Sequence, residues 1–295
     1  MSEAEVWTVG RLLTWTAQFL KDRGAESPRL DAEILLAEAR GSRRIDLYTS
    51  FEEAPTEEVR TKFRQLVKQR AEGMPVAYLV GRREFYSLPF QVTRDVLIPR
   101  PETELLVVRL LDLLAAGAQQ TPGETLHVAD VGTGSGIIAI CAAKRFANCH
   151  VTAIDKSAAA ITIARANAEQ HGVAERMEFV EGDLLSGLPA EPTFDFIASN
   201  PPYVSEAEFA QLARDVRDFE PRGALVSGPH GTEVIERLVP QAAERLKSGG
   251  HLLTEISPMI EADVRRLIES DARFELAPTI KDLAGHARVV QARRR

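Results

Sequence analysis

Cysteine is scarce in this chain, with Cys141 and Cys149 the only two among 295 residues. Two cysteines cannot build a disulfide framework, nor a zinc site of cysteines alone. Aromatic residues make up 6% of the sequence. No apolar run approaches the roughly 18 residues of a membrane-spanning helix. The first residues are acidic and lack the basic segment and apolar stretch of a signal peptide, so a cytoplasmic protein without membrane contact is expected. Positive charge is not in excess either. Residues 1–97 carry 15 Lys and Arg against 15 Asp and Glu, so the net charge of −7 lies entirely in residues 98–295. Proteins that track nucleic-acid backbone are usually basic where they do so. A protein or small-molecule substrate suits this half better, and no direct nucleic-acid partner is expected. What is present, 44% hydrophobic and 27% charged residues, matches ordinary globular proteins. The length accommodates two domains, each large enough for a core.

Residues 1–75 read as a small helical bundle. Val9, Leu12, Leu13, Thr16, Phe19 and Leu20 share one helical face behind a candidate N-cap at Thr8. Ser27-Pro28 predicts a capped start for a second helix closed by Gly41. Thr56 opens another that buries Val59, Phe63, Leu66 and Val67 and stops at Gly73. Nothing in this bundle clusters acids, histidines or cysteines for chemistry, so it reads as a docking domain. Residues 76–97 form a linker around a predicted hairpin at 84–92, rich in aromatic and β-branched residues. Residues 98–295 form the larger domain. After a helix over 104–116 ended by Gly117, strands are predicted at 126–131, 150–155, 176–181, 194–199 and 251–256. Helices alternate with them at 137–146, 158–171 and 232–246. That order predicts an α/β fold with a parallel, doubly wound sheet and ligands at the carboxyl ends of its strands. Arg293-Arg294-Arg295 reads as a solvated tail.

Three elements carry chemistry. Asp130-Val131-Gly132-Thr133-Gly134-Ser135-Gly136 follows the first strand of the sheet and opens a helix. Glycines there let the backbone approach a ligand, and the helix N-terminus offers free N–H groups. A dinucleotide fingerprint needs a third glycine where Ile137 stands. Gly132, Gly134 and Gly136 give instead the G-x-G-x-G of S-adenosylmethionine-dependent methyltransferases. Asp155 ends the next strand, 19 residues past Gly136, where an acid can accept from both ribose hydroxyls or cap the following helix. Asp183, after the third strand, is a candidate neighbour of the adenine. Asn200-Pro201-Pro202-Tyr203 follows the fourth strand. Asn200 brings an amide acceptor, the prolines rigidity and bare carbonyls, and Tyr203 a flat face. Such a cluster suits a planar group bearing NH₂, whose lone pair it would aim at an electrophilic methyl. The chemistry needs no metal and no strong base, because positioning alone can supply roughly 7–11 kcal/mol.

Several motifs occur in order: Arg83-Glu84-Phe85-Tyr86 through Pro89-Phe90, Leu97-Ile98-Pro99-Arg100-Pro101-Glu102-Thr103-Glu104, the Gly132 loop, Asn200-Pro201-Pro202-Tyr203, Glu220-Pro221-Arg222 and Lys281-Asp282-Leu283-Ala284-Gly285. Over nearly its full length the chain resembles the peptide-chain release factor glutamine methyltransferases. That resemblance implies a Rossmann-like class I methyltransferase sheet joined by a β-hairpin to a small N-terminal helical domain. It implies N5-methylation of the glutamine in the Gly-Gly-Gln loop of release factors, which the helical domain and hairpin would contact. It also implies that Gly132, Thr133, Gly134, Ser135 and Gly136 bind S-adenosylmethionine. Asp155 would hold its ribose, with Asp183 and Leu184 near its adenine. S-adenosylhomocysteine would be the product. Asn200 to Tyr203 would hold the substrate glutamine, with Asn200 also touching the cofactor. Ser257-Pro258-Met259 departs from the glycine-aromatic pair more usual in that family. The competing reading is an amino methyltransferase acting on an exocyclic NH₂ of a nucleobase in DNA or rRNA, which needs a basic groove and a way to extract the base. A non-catalytic nucleotide-binding module would leave Asn200-Pro201-Pro202-Tyr203 without a purpose.

Overall fold

In the computed structural model, which describes residues 6–295, Thr8 accepts from Arg11 N–H at 3.3 Å and opens α1, Val9–Lys21. Helices α2 (Pro28–Arg40), α3 (Asp46–Thr49), α4 (Glu57–Ala71) and α5 (Val76–Val80) follow. Next come β1 (Arg82–Phe85), β2 (Leu88–Gln91), α6 (Thr103–Gln120), β3 (Leu126–Val131), α7 (Ile137–Arg145), β4 (Cys149–Asp155) and α8 (Ala158–Gln170). Strands β5 (Met177–Glu181), β6 (Phe194–Ser199) and β7 (Val204–Ser205) precede the short helices α9 (Glu206–Phe209), α10 (Arg214–Phe219) and α11 (Arg222–Leu225). The chain ends with β8 (Val226–Gly228), α12 (Glu233–Arg245), β9 (Leu246–Glu255), α13 (Glu261–Ser270), β10 (Phe274–Leu276), β11 (Ile280–Lys281) and β12 (Ala287–Arg294).

The chain divides into two units, the first comprising residues up to Gly81 together with α10. Its core joins Val9, Leu13 and Leu20 of α1, Leu35 and Leu36 of α2, Leu47, and Phe63 and Val67 of α4. The apolar stripe of α1 is buried as its spacing predicts, although Phe19 is only partly covered. Gly41 takes the left-handed conformation that ends α2, and Thr56 caps α4. Ser27 differs from expectation. It precedes Pro28 as an N-cap should, but its hydroxyl makes no capping hydrogen bond.

The second unit, Arg82–Ala213 with Glu220–Arg295, contains among the described residues an eight-stranded sheet. Its strand order is β10-β12-β9-β6-β3-β4-β5, with β11 pairing β12. From β9 to β5 neighbouring strands are parallel. Strand β12 runs antiparallel to β9, so the sheet is mixed rather than wholly parallel. Successive residues face opposite layers. Val128, Phe196, Leu253 and Val289 pack with α6 and α7. Their neighbours Ala129, Ile197, Leu252 and Val290 pack with α12 and α13. This is the three-layer α/β arrangement expected for the larger domain.

Three details correct the sequence reading. Helix α6 does not stop at Gly117 but runs three residues further, because Gly117 lies inside the helix against Leu126 and Phe196. Strand β9 starts at Leu246, five residues earlier than predicted. Arg293 and Arg294 are not a solvated tail. They lie in β12, where Arg294 Nε donates to the Ala243 carbonyl at 2.8 Å and Arg293 pairs with His251. The hairpin forms as expected, its turn made by Tyr86 and Ser87 at φ of 50° and 58°. Phe85 and Phe90 bury themselves in the core of the sheet unit.

Candidate active site

Strand order reverses at β3, with β4 on one side and β6 on the other, and a ligand crevice belongs at the carboxyl ends of such strands. A cleft of about 200 Å³ opens there. One wall is the loop after β3. Gly132, Gly134 and Gly136 adopt φ of 74°, 54° and 86°, conformations that cost a residue with a Cβ. The N–H groups of Gly132 and Thr133 both donate to the Ile154 carbonyl, at 2.8 and 2.9 Å, which clips the loop to β4. Asp155 accepts from Gly134 N–H and from Ser157 N–H, each at 2.9 Å on a different oxygen. It therefore anchors the loop, while the cap of α8 is Ser157, whose hydroxyl accepts from Ala160 N–H at 3.2 Å; each Asp155 oxygen retains a lone pair for a ligand hydroxyl.

Two buried side chains hold this loop from behind, and neither was read as a site residue from the sequence. Asp130 Oδ2 accepts from the Thr133 hydroxyl at 2.7 Å and from Ala139 N–H at 3.1 Å, while its Oδ1 has no hydrogen-bond partner among the described residues. Burial without a cation pushes its carboxyl up to about 7. Asn167 is fully buried and donates to Ser135 O at 2.8 Å and Gln91 O at 3.1 Å, and accepts from Gln91 N–H at 2.7 Å. The hairpin is thus fastened to the glycine loop through one amide. Asp130 had a signal, since it directly precedes the loop; Asn167 had none.

Leu97, Pro99 and Arg100 add a further stretch of wall. Glu220 holds it, accepting from Ile98 N–H at 3.1 Å and from Arg100 at 2.5 Å with its own side chain 1% exposed. Asp183 and Leu184 line the mouth. Leu184 has a left-handed backbone at φ 55°, and Asp183 pairs with Arg237 across half-exposed surface.

The opposite wall comes from the residues after β6. The Asn200 carbonyl lies beside the glycine loop, 3.9 Å from where a Cβ on Gly132 would sit. Asn200 Nδ2 donates to the Thr103 hydroxyl at 3.0 Å. With its NH₂ tied in this way, the amide oxygen is left as the end available to a ligand. The Tyr203 hydroxyl donates to Glu255 Oε1 at 3.4 Å, and burial raises the phenol well above its usual value. Gly231 approaches the Tyr203 carbonyl so closely that a Cβ would come within 2.7 Å of it, and its φ of 86° suits glycine alone.

The cleft therefore brings together Gly132, Thr133, Gly134, Ser135, Asp155, Asp183, Leu184, Asn200 and Pro202. Gly136, Pro201 and Tyr203 are not among the residues lining it. Gly136 packs against Ile140 and Ala164, Pro201 is buried, and Tyr203 turns its ring to the core formed with α12 and α13. Ser257-Pro258-Met259 makes a tight turn in which Ser257 Oγ accepts from Met259 N–H at 3.4 Å. Among the described residues no group of His, Cys, Asp or Glu could hold a metal ion. No helix among them is long and apolar enough to cross a membrane.

A doubly wound sheet with a glycine loop at its switch point, a carboxylate beside that loop and an amide facing it defines a class I, S-adenosylmethionine-dependent methyltransferase. Comparison with known proteins gives the same class and a narrower family. The family described as PrmC N-terminal domain matches residues 11–81, and the methyltransferase small domain matches residues 109–216. A release factor glutamine methyltransferase of Rhodopirellula baltica is 51% identical over 96% of this chain and 95% of its own length. One from Chlorobaculum tepidum is 42% identical over 92% of each. The chain belongs to the release factor glutamine methyltransferase family. In fold it is similar to the Thermus thermophilus 16S rRNA N2 G1207 methyltransferase solved with AdoMet and guanosine. That structure has a TM-score of 0.50 and 18% identity, covering 72% of this chain and 50% of that one.

Proposed function

We propose that this protein methylates the side-chain amide nitrogen of the glutamine in the Gly-Gly-Gln motif of peptide-chain release factors, acting in the cytoplasm with no nucleic acid as its direct partner. The observation that carries the reading is Asn200, which lines the cleft with its side-chain amide tied by the nitrogen to Thr103 and its backbone carbonyl beside the glycine loop. S-adenosylmethionine supplies the methyl group on a sulfonium and is left as S-adenosylhomocysteine. The residues present fit that cofactor. The first-turn N–H groups of α7 suit its carboxylate, and the Asp155 oxygens suit its ribose hydroxyls. Leu184 gives the adenine an apolar neighbour, and Asp183 borders it.

A primary amide is a poor nucleophile, because its nitrogen lone pair is delocalised into its own carbonyl. Asn200 Oδ1 and the bare carbonyls of the Asn-Pro-Pro turn accept from its two N–H groups. These contacts fix the nitrogen in the attack direction, and they favour the positive charge that grows on it during transfer. The proton then leaves to water. Pro201 and Pro202 act through rigidity, and Tyr203 acts by bracing the turn against Glu255.

We assign release factor contact to the helical unit. It carries an open apolar groove of about 580 Å³ lined by Trp7, Trp15, Phe19 and Phe63, with Arg60, Arg64 and Lys68 among its polar lining. Trp15 is 50% exposed and stacks on Phe19 at 4.9 Å. An exposed aromatic patch of this kind marks an interaction surface.

Incubation with methyl-labelled S-adenosylmethionine tests the function. Label should enter a purified release factor at the Gly-Gly-Gln glutamine and be absent when that glutamine is replaced. Label in RNA or DNA of a whole lysate, with none in the release factor, would overturn the reading in favour of a nucleobase substrate.

A further inference from the structure

The β1–β2 hairpin and the glycine loop after β3 are distant in sequence, yet one side chain is bound to both. Asn167 lies in α8 and is fully buried. Its Oδ1 accepts from Gln91 N–H at 2.7 Å, and its Nδ2 donates to Gln91 O at 3.1 Å. The amide thereby meets the last residue of β2 as a neighbouring strand would, through one donor and one acceptor. Nδ2 also donates to Ser135 O at 2.8 Å. Both protons of the NH₂ are then in use, so a bond lost on either side has no replacement within the residue.

The bond to Ser135 decides what the loop presents to the cleft. Gly134 and Gly136, on either side of Ser135, have φ of 54° and 86°, and glycine neighbours let a peptide plane turn at low cost. Ser135 lines the cleft together with Ile137 and Ile138 of the first turn of α7, whose N–H groups have no partner within the helix. A carbonyl turned among those N–H groups would repel the carboxylate they suit. Asn167 holds the Ser135 carbonyl on the buried side instead. The hairpin has other attachments to this end of α8: Gln170 Nε2 donates to Pro89 O at 3.1 Å, and His171 Nε2 lies 2.8 Å from the same oxygen. Neither of these side chains hydrogen-bonds the glycine loop among the described residues.

We propose that Asn167 is a positioning residue that couples the hairpin to the cofactor cleft, so that S-adenosylmethionine and a protein substrate held on the hairpin favour each other's binding. The proposal rests on reading the cleft as a release factor methyltransferase site. A bound carboxylate keeps the loop in the arrangement that satisfies the Asn167 NH₂, and an amide held there stays seated on Gln91. In the other direction, a substrate that fixes the hairpin fixes Gln91, and with it the amide that holds Ser135. The hairpin has a side chain to offer such a substrate, since Tyr86 in its turn is 39% exposed. Neither Tyr86 nor Gln91 is among the residues lining the cleft, so an effect of cofactor on the hairpin has to travel through the fold. Coupling of this kind is reciprocal and commonly amounts to roughly 5–150-fold in affinity.

Backbone amide hydrogen exchange of the full chain, with and without saturating S-adenosylhomocysteine, tests this with no substrate present. Gln91 N–H is the direct probe, because its acceptor is Asn167 itself. In the wild type the ligand should slow exchange at Gln91 by about tenfold. Asn167→Ala removes all three bonds, while Gln170 and His171 still hold Pro89 and keep the hairpin in place. At saturation that variant should show less than about a twofold response in the hairpin, and its cofactor affinity should be about tenfold weaker. Release factor affinity should rise about tenfold on adding S-adenosylhomocysteine to the wild type and stay level in the variant. A wild-type hairpin whose exchange ignores the ligand, or one that responds as strongly in Asn167→Ala, would overturn the proposal. If Asn167→Ala does not fold, Asn167→Asp takes its place, since it keeps the acceptor for Gln91 N–H and gives up the NH₂; an undiminished hairpin response there refutes the coupling equally. A wild type that binds no S-adenosylmethionine overturns this proposal and the functional reading together. One that shows the hairpin response but transfers no methyl to a release factor sinks the functional reading and leaves the coupling standing.

Discussion

One wall of the cleft is four consecutive residues, Gly132 to Ser135, whereas the other presents Asn200, whose amide is held from behind by Thr103 of α6 and whose turn is braced by the contact of Tyr203 with Glu255 of β9. The first wall works with backbone: N–H groups, positive φ and the absence of Cβ atoms. The second works with side chains whose hydrogen bonds have a direction. Substitutions should therefore separate cleanly. Changes in the glycine wall act on cofactor affinity, and changes in the amide wall act on rate at unchanged affinity.

The largest effect is expected at Asn200. Replacing it by alanine removes the acceptor that faces the substrate amide. The single-turnover rate should fall by about 10²–10³, as for loss of one transition-state hydrogen-bonding group, with cofactor affinity by calorimetry close to wild type. A matching loss of affinity would erase the distinction between the walls. On the other wall, Asp155→Ala removes the carboxylate that anchors Gly134 and faces the cleft. It should weaken cofactor binding by roughly 1.5–3 kcal/mol, the worth of hydrogen bonds to a charged group, with a smaller change in rate at saturation. Gly134→Val should also act on affinity. Its site is open space, so the cost comes from φ of 54° rather than from a clash, and the fold should survive.

Trp15→Ala in the helical unit sharpens the comparison from outside the cleft. It should raise KM for the release factor about tenfold, within the range of an interface aromatic, and leave kcat and cofactor affinity unchanged. The smallest effect is on stability. The carboxyls of Asp130 and Glu255 both sit near 7 in the folded chain, against roughly 4 for unfolded carboxyls. Between those values the folded state holds protons that the unfolded state has released. Stability therefore falls as pH rises from about 4 to 7, and the loss is complete above 7. In Asp130→Asn and in Glu255→Gln the urea midpoint should fall less between pH 5 and pH 8 than in wild type.

The same contrast explains how much could be read in advance. Gly132 to Gly136, Asp155 and Asn200 to Tyr203 each follow a strand directly, so strand–turn–helix patterning was enough to bring them to one edge of the sheet. Thr103 sits inside Ile98-Pro99-Arg100-Pro101-Glu102-Thr103-Glu104, quoted above for its resemblance alone. Its partner Asn200 comes from the turn after β6, and no local pattern announces such a contact. Asn167 lies on a helix whose spacing gives no sign that it reaches Gln91 and Ser135. At the chain end, three arginines look like a solvated tail until Arg293 is seen to pair with His251 of β9, Arg294 with Phe274 of β10, and the Ala243 carbonyl to receive Arg294. Long-range pairing overrides local composition in each of these places.

The central claim is that the Asn200 amide, with its nitrogen held by Thr103, offers its oxygen to the substrate. Asn200→Asp tests this most directly, because it keeps an acceptor at the same distance and deletes the NH₂. The Thr103 hydroxyl would then lose the donor it accepts from, and the new charge would sit against a fully buried side chain. Single-turnover methylation of a release factor at saturating cofactor should fall by well over tenfold, with cofactor affinity unchanged. A rate within about tenfold of wild type, only ~1.4 kcal/mol of barrier, would show that the held amide is not what aims the substrate nitrogen.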